Sequence, residues 1–350
     1  MKALSVIIPM YNVAIYVERC LRSLEEQDIP QENYEIICIN DGSPDNCSDI
    51  VRGLQFVFSN IVLLEQENQG VSMARNNGIE AATGRYILFI DPDDYVEKNS
   101  LGRKLDIISR HSLDVLYTGF TILNESLQPK YKYDNKQADE IILTGIEYYT
   151  NYDKGSTEVQ DPDRSVAILF KREFLVKNGL RYLAGVPYLE DSEFLARVNT
   201  LALRVSFASD PFYLRTTRPG SATNSRMFFS EEAIEGFIKA ATNLAAFKNN
   251  MNITGDAGSI LNYSIIHFII LYLESHTVSG YLSGFSTIRE SLLLNGLRKL
   301  DLTGMSSFYK RMAKCYNVSV HLLYLNWLLY KFQKSLRIRA GRLLEILLPE

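Results

Sequence analysis

The sequence predicts an α/β fold, with an open, mostly parallel sheet, flanking helices and a helical C-terminal region. Two short β-rich runs, Leu4–Ile8 and Tyr34–Ile39, enclose a segment whose apolar residues recur at helical spacing. Strand and helix patterns continue to alternate as far as a later apolar run, Tyr86–Ile90. Because strand–helix–strand units place their strands parallel in one sheet, this alternation predicts a helix-covered parallel sheet.

The helices between these strands are predicted from apolar spacing and end signals. Asn12 stands where a residue would cap the first helix, whose apolar positions are Val17, Cys20, Leu21 and Leu24. Further helices are expected over Ser48–Phe58 and from Gly70 to Ala82, with a short strand, Ile61–Leu64, between them.

The later part of the chain changes character twice. Residues 124–164 are polar, so loops or insertions are expected there. From Ser230 onward the strand signal fades and long apolar-periodic stretches dominate. The sequence therefore predicts a sheet-containing domain over residues 1–225 and a helical region over residues 226–350.

Composition excludes several classes of protein. The chain has 350 residues, of which 46% are hydrophobic and 22% charged, which is typical of a globular protein rather than a disordered one. Its four cysteines are scattered and form no CxxC pair, so neither a disulfide scaffold nor a structural zinc site is expected. A reducing, cytoplasmic setting is expected instead. The net charge is −4. No nucleic-acid partner is expected.

Three acids follow the strand Tyr86–Ile90 directly, in the sequence Asp91-Pro92-Asp93-Asp94. Ligands of open α/β sheets bind outside the carboxyl ends of the strands, and Pro92 should end strand pairing there. Clustered carboxylates repel one another unless they share a cation, and oxygen ligands suit Mg²⁺ or Mn²⁺. The alternative is an acidic turn that caps a helix beginning at Tyr95.

Two further acidic points stand at similar places. Asp41 stands two residues after the strand Tyr34–Ile39 and just before Gly42. There it can accept hydrogen bonds from a base or ribose, or it can belong to an ordinary turn. Glu190 and Asp191 precede a helical pattern, where acids are favoured by the helix dipole and where an ionised carboxylate can act as a general base.

Other kinds of site lack their signatures. The sequence contains no GxxxxGK[ST], no GxGxxG and no GxSxG, so P-loop, dinucleotide-redox and serine-hydrolase chemistry lose support. The four histidines show no metal-ligand spacing.

Four segments, in order, resemble the family 2 glycosyltransferases, which are inverting enzymes of the GT-A fold: SVIIPMYN, INDGSPD, NQGVSMARNNGIEAATGRYILFIDPDDY and LEDSEF. The resemblance covers roughly residues 1–220. It implies a GT-A catalytic domain over residues 1–225, with a nucleotide-sugar half in about residues 1–100 and an acceptor half in about residues 101–225.

The same resemblance implies roles for individual residues. The nucleoside is expected to contact Pro9, Tyr11 and Asp41, and the donor to contact Arg75. Asp91 and Asp93 are expected to hold the diphosphate together with Mn²⁺ or Mg²⁺.

The resemblance also implies the residues that complete the chemistry. Asp191 is the expected catalytic base, with Glu190 as the second candidate. Members of the family often carry a basic or histidine-containing segment after the base. Here that segment offers Arg215 and Arg218 for the phosphates but no histidine.

The C-terminal tail is basic and amphipathic. Residues 289–350 carry 11 Lys and Arg against 4 Asp and Glu, and apolar residues from Leu325 to Leu347 form one helical stripe. Such a helix can lie on an anionic membrane surface, pack on its own domain or pair with a second chain, and these alternatives stay open. No uninterrupted apolar run is long enough to predict a membrane span.

Together these observations predict an inverting, metal-dependent glycosyltransferase that moves a sugar from a nucleotide diphosphate, expected to be a UDP-sugar, to a hydroxyl of a glycan. A polyprenyl-linked oligosaccharide in surface polysaccharide assembly would suit placement on the inner face of a membrane. The alternatives are a nucleotidyltransferase acting on a sugar phosphate and a non-catalytic, membrane-associated module that binds nucleotide sugars.

Overall fold

The computed structural model describes residues 2–134, 139–150, 166–217, 230–278, 285–303, 305 and 307–347. The chain divides into two compact units, Met1–Arg226 and Met227–Glu350.

The described residues of the first unit form a nine-stranded sheet with helices packed on it. Its strands are β1 (Leu4–Met10), β2 (Tyr34–Asp41), β3 (Ile61–Gln66), β4 (Tyr86–Phe89), β5 (Tyr95–Val96), β6 (Val115–Leu123), β7 (Pro129–Tyr133), β8 (Ile168–Lys171) and β9 (Val205–Arg215). Its helices are α1 (Ala14–Glu25), α2 (Cys47–Gln55), α3 (Val71–Ala81), α4 (Leu101–Arg110), α5 (Gly145–Tyr148), α6 (Arg172–Lys177) and α7 (Glu190–Leu201).

The strand order is β3-β2-β1-β4-β8-β6-β9-β5, with β7 paired to β6. Strands β1 to β4 are all parallel, so their carboxyl ends lie at one edge of the sheet. The antiparallel strand β8 separates β4 from β6, and β9 runs parallel to β6. The prediction of a mostly parallel α/β sheet is confirmed.

The start of α1 differs from the prediction that Asn12 caps it. Asn12 has a left-handed φ of 55°, and the residue at the cap position, Val13, makes no side-chain cap hydrogen bond. The backbone N–H of Ala14 instead donates to Asp45 Oδ2 at 2.7 Å. The cap therefore comes from the loop after β2, which ties that loop to the loop after β1.

The alternative interpretation of the acids after β4, as the cap of a helix from Tyr95, is wrong. Tyr95 and Val96 form β5 and pair antiparallel with Leu214 and Tyr213 of β9, and the next helix begins at Leu101. Pairing between β4 and its neighbours stops before Pro92, as the sequence predicts.

The polar stretch 124–164 is not all loop. It contains β7, which pairs antiparallel with β6, and the single-turn helix α5, whose cap Thr144 forms a reciprocal capping box with Glu147. Residues 135–138 and 151–165 lie outside the described residues.

The described residues of the second unit form five helices, as the fading strand signal predicts: α8 (Glu231–Asn250), α9 (Gly255–Val278), α10 (Phe285–Leu294), α11 (Ser307–Val318) and α12 (Val320–Leu347). Among the described helices, α9 contains one segment, Gly255–Ser275, that is long and apolar enough to cross a membrane, and most of this segment is buried within the protein. A buried core helix has the same properties.

Candidate active site

The loops after β1 and β2 are joined at the carboxyl edge of the sheet. The backbone N–H of Asn12 donates to Ser43 Oγ at 2.8 Å, and Ser43 Oγ donates to Asp45 Oδ1 at 2.7 Å. Partial burial would raise the pKa of Asp45, but hydrogen bonds from Ala14, Ser43 and Cys47 lower it to about 2. Asp45 is therefore ionised and holds both loops in place.

Asp41 is buried and organises the start of α3. Its Oδ1 accepts from Gln66 Nε2 at 2.7 Å and from the backbone N–H of Gln69 at 2.8 Å, and its Oδ2 accepts from Gly70 N–H at 2.9 Å. The role that the structure shows is to fix the 66–70 loop. Contact with a nucleoside stays a prediction.

Gly42 is required by this close approach of two loops. It has a φ of 63°, and a Cβ placed there would lie 2.8 Å from the backbone nitrogen of Asn68. Both the left-handed backbone and the lack of space exclude larger residues. The DGS turn and the 66–70 loop are thereby packed backbone to backbone.

The two remaining nucleoside candidates differ in exposure. Tyr11 is 51% exposed just beyond β1, so its ring is available to a ligand. Pro9 is buried within β1, where it lies beyond Ile7, the last residue of β1 paired with β4. A direct contact between Pro9 and a donor stays a prediction.

Asp91, Pro92, Asp93 and Asp94 form a tight turn, here named the carboxylate turn. It is closed by a hydrogen bond of 2.9 Å from Asp94 N–H to the Asp91 carbonyl. Asp94 is buried, and this burial together with the charges of Asp93 and Asp91 raises its pKa to about 8. The Asp91 side chain is 36% exposed and can reach a ligand at the edge of the sheet.

Arg75 joins this turn to α7. Its Nη1 donates to Glu190 Oε1 at 2.7 Å, its Nη2 donates to Asp91 Oδ1 at 3.1 Å, and its guanidinium lies over the Tyr182 ring. Burial alone would lower the pKa of Arg75, but Tyr182, Asp91, Glu190 and Asp191 together raise it. Acids that are a hundred residues apart in sequence therefore surround one buried cation.

The start of α7 presents both candidate bases. Leu189 precedes them in the left-handed conformation, with a φ of 58° that is unusual for a large residue. The Glu190 side chain is 14% exposed and is held by Arg75, whereas Asp191 Oδ1 accepts from Ser192 N–H at 2.9 Å. Further along α7, Glu193 and Arg197 form a buried two-point ion pair that anchors the helix.

One of the two arginine candidates, Arg215, belongs to the part of the chain that the structure describes. Arg215 is the last residue of β9, and Arg218 lies outside the described residues. Sequence reasoning missed Tyr213 and Thr216, which contact the carboxylate turn. The sequence did hold a signal for such contacts. Asp91 and Asp93 were assigned to the metal, so the third acid of the run, Asp94, had no role and needed other partners.

The residues of the carboxylate turn fit a divalent cation held together with a diphosphate. In the part of the chain that the structure describes, no group of three or more His, Cys, Asp or Glu side chains is arranged to hold a metal ion by itself. Mg²⁺-like ions commonly take one or two carboxylates and complete their shell with substrate phosphates and water. Asp91 and Asp93 supply that number of carboxylates.

Comparison with known proteins gives consistent matches. The model of glycosyl transferase family 2 matches residues 5–174. EpsJ of Bacillus subtilis, described as an uncharacterized glycosyltransferase, is 31% identical over 261 residues, which are 75% of this chain and 74% of EpsJ. TarS of Staphylococcus aureus, a poly(ribitol-phosphate) beta-N-acetylglucosaminyltransferase, is 27% identical over 237 residues, which are 67% of this chain and 39% of TarS.

A solved structure shares the fold. The crystal structure of TarS residues 1–349 in complex with UDP-GlcNAc superposes with a TM-score of 0.63 at 22% identity, covering 84% of this chain and 80% of that one. The sheet and its flanking helices thus have the GT-A fold.

The chain belongs to glycosyl transferase family 2. The resemblance found in the sequence and the assignment as a glycosyltransferase are confirmed, and neither a nucleotidyltransferase nor a non-catalytic module is favoured.

Proposed function

We propose that this chain transfers a sugar, with inversion, from a UDP-sugar to a hydroxyl of a surface glycan or of a polyprenyl-linked oligosaccharide. The observation that carries the site is the Arg75 bridge, which brings Asp91 of the carboxylate turn and Glu190 of α7 to one guanidinium. The donor class is supported by TarS, whose structure holds UDP-GlcNAc, and by the acids at the carboxyl edge of the sheet.

The nucleoside is proposed to bind between the loops after β1 and β2. The exposed ring of Tyr11 offers a stacking face for the base. Asp41 fixes the 66–70 loop behind it, and its carboxylate oxygens retain acceptor capacity for a base or ribose. Pro9 shapes the floor of this site from within β1.

Asp191 is proposed as the general base. Glu190, the other candidate, is largely buried and committed to Arg75, so it serves as the counter-ion of that arginine. Asp191 is the next residue on the first turn of α7, where the helix dipole favours the ionised carboxylate that proton abstraction needs. Taking the acceptor proton during attack typically contributes about 10²–10⁴-fold in rate.

Asp91 and Asp93 would hold Mn²⁺ or Mg²⁺ against the donor diphosphate. Such an ion supplies charge stabilisation to the departing nucleoside diphosphate without a proton transfer. Arg75 orients the Asp91 carboxylate from behind, and Arg215 and Arg218 are the proposed contacts to the phosphates.

The donor and the reaction type can be tested together. The purified chain is incubated with a panel of nucleotide sugars, with and without Mn²⁺, and released nucleotides are quantified. Slow hydrolysis of one UDP-sugar to UDP, dependent on the metal, is expected. Release of pyrophosphate, or equal turnover of GDP- and UDP-sugars, would contradict the proposal.

The base assignment has its own test. Asp191→Asn is expected to lower transfer by at least about 10²-fold while UDP affinity stays within about twofold, because the base acts on the acceptor and not on the nucleotide. Glu190→Gln is the matched comparison. If Asp191→Asn retains transfer and Glu190→Gln loses it, the two roles are reversed.

We further propose that α12 places the enzyme on the inner face of an anionic membrane. The stripe residues Leu325, Leu329 and Phe332 are exposed, and the last 62 residues carry 11 basic side chains against 4 acidic ones. Flotation with phosphatidylglycerol vesicles should recover the chain, and phosphatidylcholine vesicles should not. Loss of flotation is expected when these three residues become serine, whereas a stable dimer without flotation would instead favour pairing of two chains.

A further inference from the structure

The carboxylate turn is tied to the end of β9 by hydrogen bonds that the proposed chemistry does not use. Tyr213 OH donates to Asp94 Oδ2 at 2.6 Å, and the backbone N–H of Thr216 donates to Asp94 Oδ1 at 2.7 Å. The backbone N–H of Asp91 donates to the Tyr213 hydroxyl oxygen at 3.3 Å. Asp94, Tyr213 and Thr216 are here named the latch.

The latch also fixes the backbone of Asp93. The Asp93 carbonyl oxygen accepts from Thr216 Oγ1 at 2.9 Å and from Arg19 Nη2 at 2.7 Å, so it is held from β9 on one side and from α1 on the other. The backbones of Asp91 and Asp93 are thus both hydrogen-bonded to the end of β9. The directions of their side chains therefore depend on the position of β9.

Stability alone does not account for this arrangement. Asp94 and Tyr213 are both buried, and Asp94 is placed beside two other acids. Burying a carboxyl group costs free energy unless its oxygens are hydrogen-bonded, and an apolar pair of similar volume would avoid that cost. What the polar contacts add is a fixed geometry between two segments.

Those two segments are the ones proposed to hold opposite parts of the donor diphosphate. The turn carries the metal carboxylates, and Arg215 lies in the chain between latch residues Tyr213 and Thr216. We propose that Asp94 is a positioning residue, which through Tyr213 and Thr216 sets the distance between the metal-binding turn and the Arg215 segment. This inference rests on the proposed donor and metal chemistry.

A first experiment tests the latch without any ligand. Hydrogen exchange is followed by mass spectrometry in Tyr213→Phe and Asp94→Asn, with Tyr34→Phe as the matched control. Tyr34 is also buried and also donates a hydrogen bond through its hydroxyl, but it lies at the start of β2, away from the carboxyl edge. Exchange is expected to rise together in peptides covering residues 90–97 and 211–217 in the latch variants only. A rise in one peptide alone would overturn the coupling.

A second experiment uses UDP and MnCl₂ as probes in titration calorimetry. In Tyr213→Phe the affinity for UDP with Mn²⁺ should fall about fivefold, as for one lost hydrogen bond of about 1 kcal/mol, while metal-free UDP affinity stays within about twofold. Equal losses in both would indicate general damage and overturn the positioning role, as would no loss. If the unaltered chain binds no UDP with Mn²⁺, the proposed donor is wrong, and the exchange experiment still decides the latch.

Discussion

Removing the charge of Arg75 probes the contact that joins the two halves of the site. The Arg75 side chain is 6% exposed and that of Glu190 14%, so both lie where solvent screening is weak. Removing one partner of a buried pair typically costs about 3–5 kcal/mol, because the other charge is left without compensation. Arg75→Met is therefore expected to destabilise the first unit by about that amount.

A double-mutant cycle separates the pair from its surroundings. Combining Arg75→Met with Glu190→Gln should give a coupling free energy of about 1.5–3 kcal/mol, the range for hydrogen bonds to charged groups. The cycle with Asp91→Asn should give less than about 1 kcal/mol, because that side chain is 36% exposed and the distance is 3.1 Å. The exposed pair Arg22 and Glu18 is the control and should couple by about 0.3–0.5 kcal/mol.

Urea unfolding followed by far-ultraviolet circular dichroism is the suitable assay. The sole tryptophan, Trp327, belongs to the second unit, whereas far-ultraviolet circular dichroism follows the strands and helices of the first unit as well. If Arg75→Met and Glu190→Gln prove additive within about 0.5 kcal/mol, the bridge does not hold the site together and the reasoning is refuted.

Three further predictions concern stability. Gly42→Ala should lower the free energy of unfolding by at least about 1 kcal/mol, since the φ of 63° and the Asn68 backbone both oppose a Cβ; an unchanged urea midpoint would contradict this. Glu193→Leu should cost about 3–5 kcal/mol by leaving Arg197 buried and uncompensated, whereas a gain in the melting temperature would show that the pair is dispensable. Burial lowers the pKa of His267 from 6.5 to about 4, so between these pH values the imidazole is protonated in the unfolded chain but neutral in the folded chain. Stability of the second unit should therefore be full above pH 6.5 and fall as the pH drops toward 4, and His267→Phe should reduce that fall when melting temperatures are compared.

The parts of the fold that were predictable are those encoded locally. The strand Tyr34–Ile39 is encoded by a short run of β-favouring apolar residues, and the helix with Val17, Cys20 and Leu24 inward by the spacing of its apolar residues. The location of the site could also be predicted, because the carboxyl ends of parallel strands lie at one edge of the sheet and ligands bind there. In this way Asp41 and Asp91 could be placed at one edge from the sequence.

The parts that were missed depend on residues far apart in the chain. Asp45 replaces Asn12 as the cap of α1 only because the loop after β2 folds back. Tyr95 becomes a strand residue because β9, more than a hundred residues later, offers it a partner. The polar strand β7 carries few apolar residues, since it pairs with the sheet on one side only.

The same reason limited the prediction of the site. The motifs identified the acids but not which of them contact Arg75. The contacts of Arg75 to Glu190 and Asp91 span 115 and 16 residues, so no local pattern encodes them. The structure pairs Glu190 with an arginine, and that pairing is what favours Asp191 as the base.

Crystals grown with UDP and Mn²⁺, measured at the manganese absorption edge, test the central claim most directly. One anomalous peak is expected between the UDP diphosphate and the carboxylates of Asp91 and Asp93, with Asp191 facing the same cleft across the space left for the sugar. A manganese ion bound elsewhere, or an Asp191 side chain directed away from that cleft, would contradict the proposed mechanism.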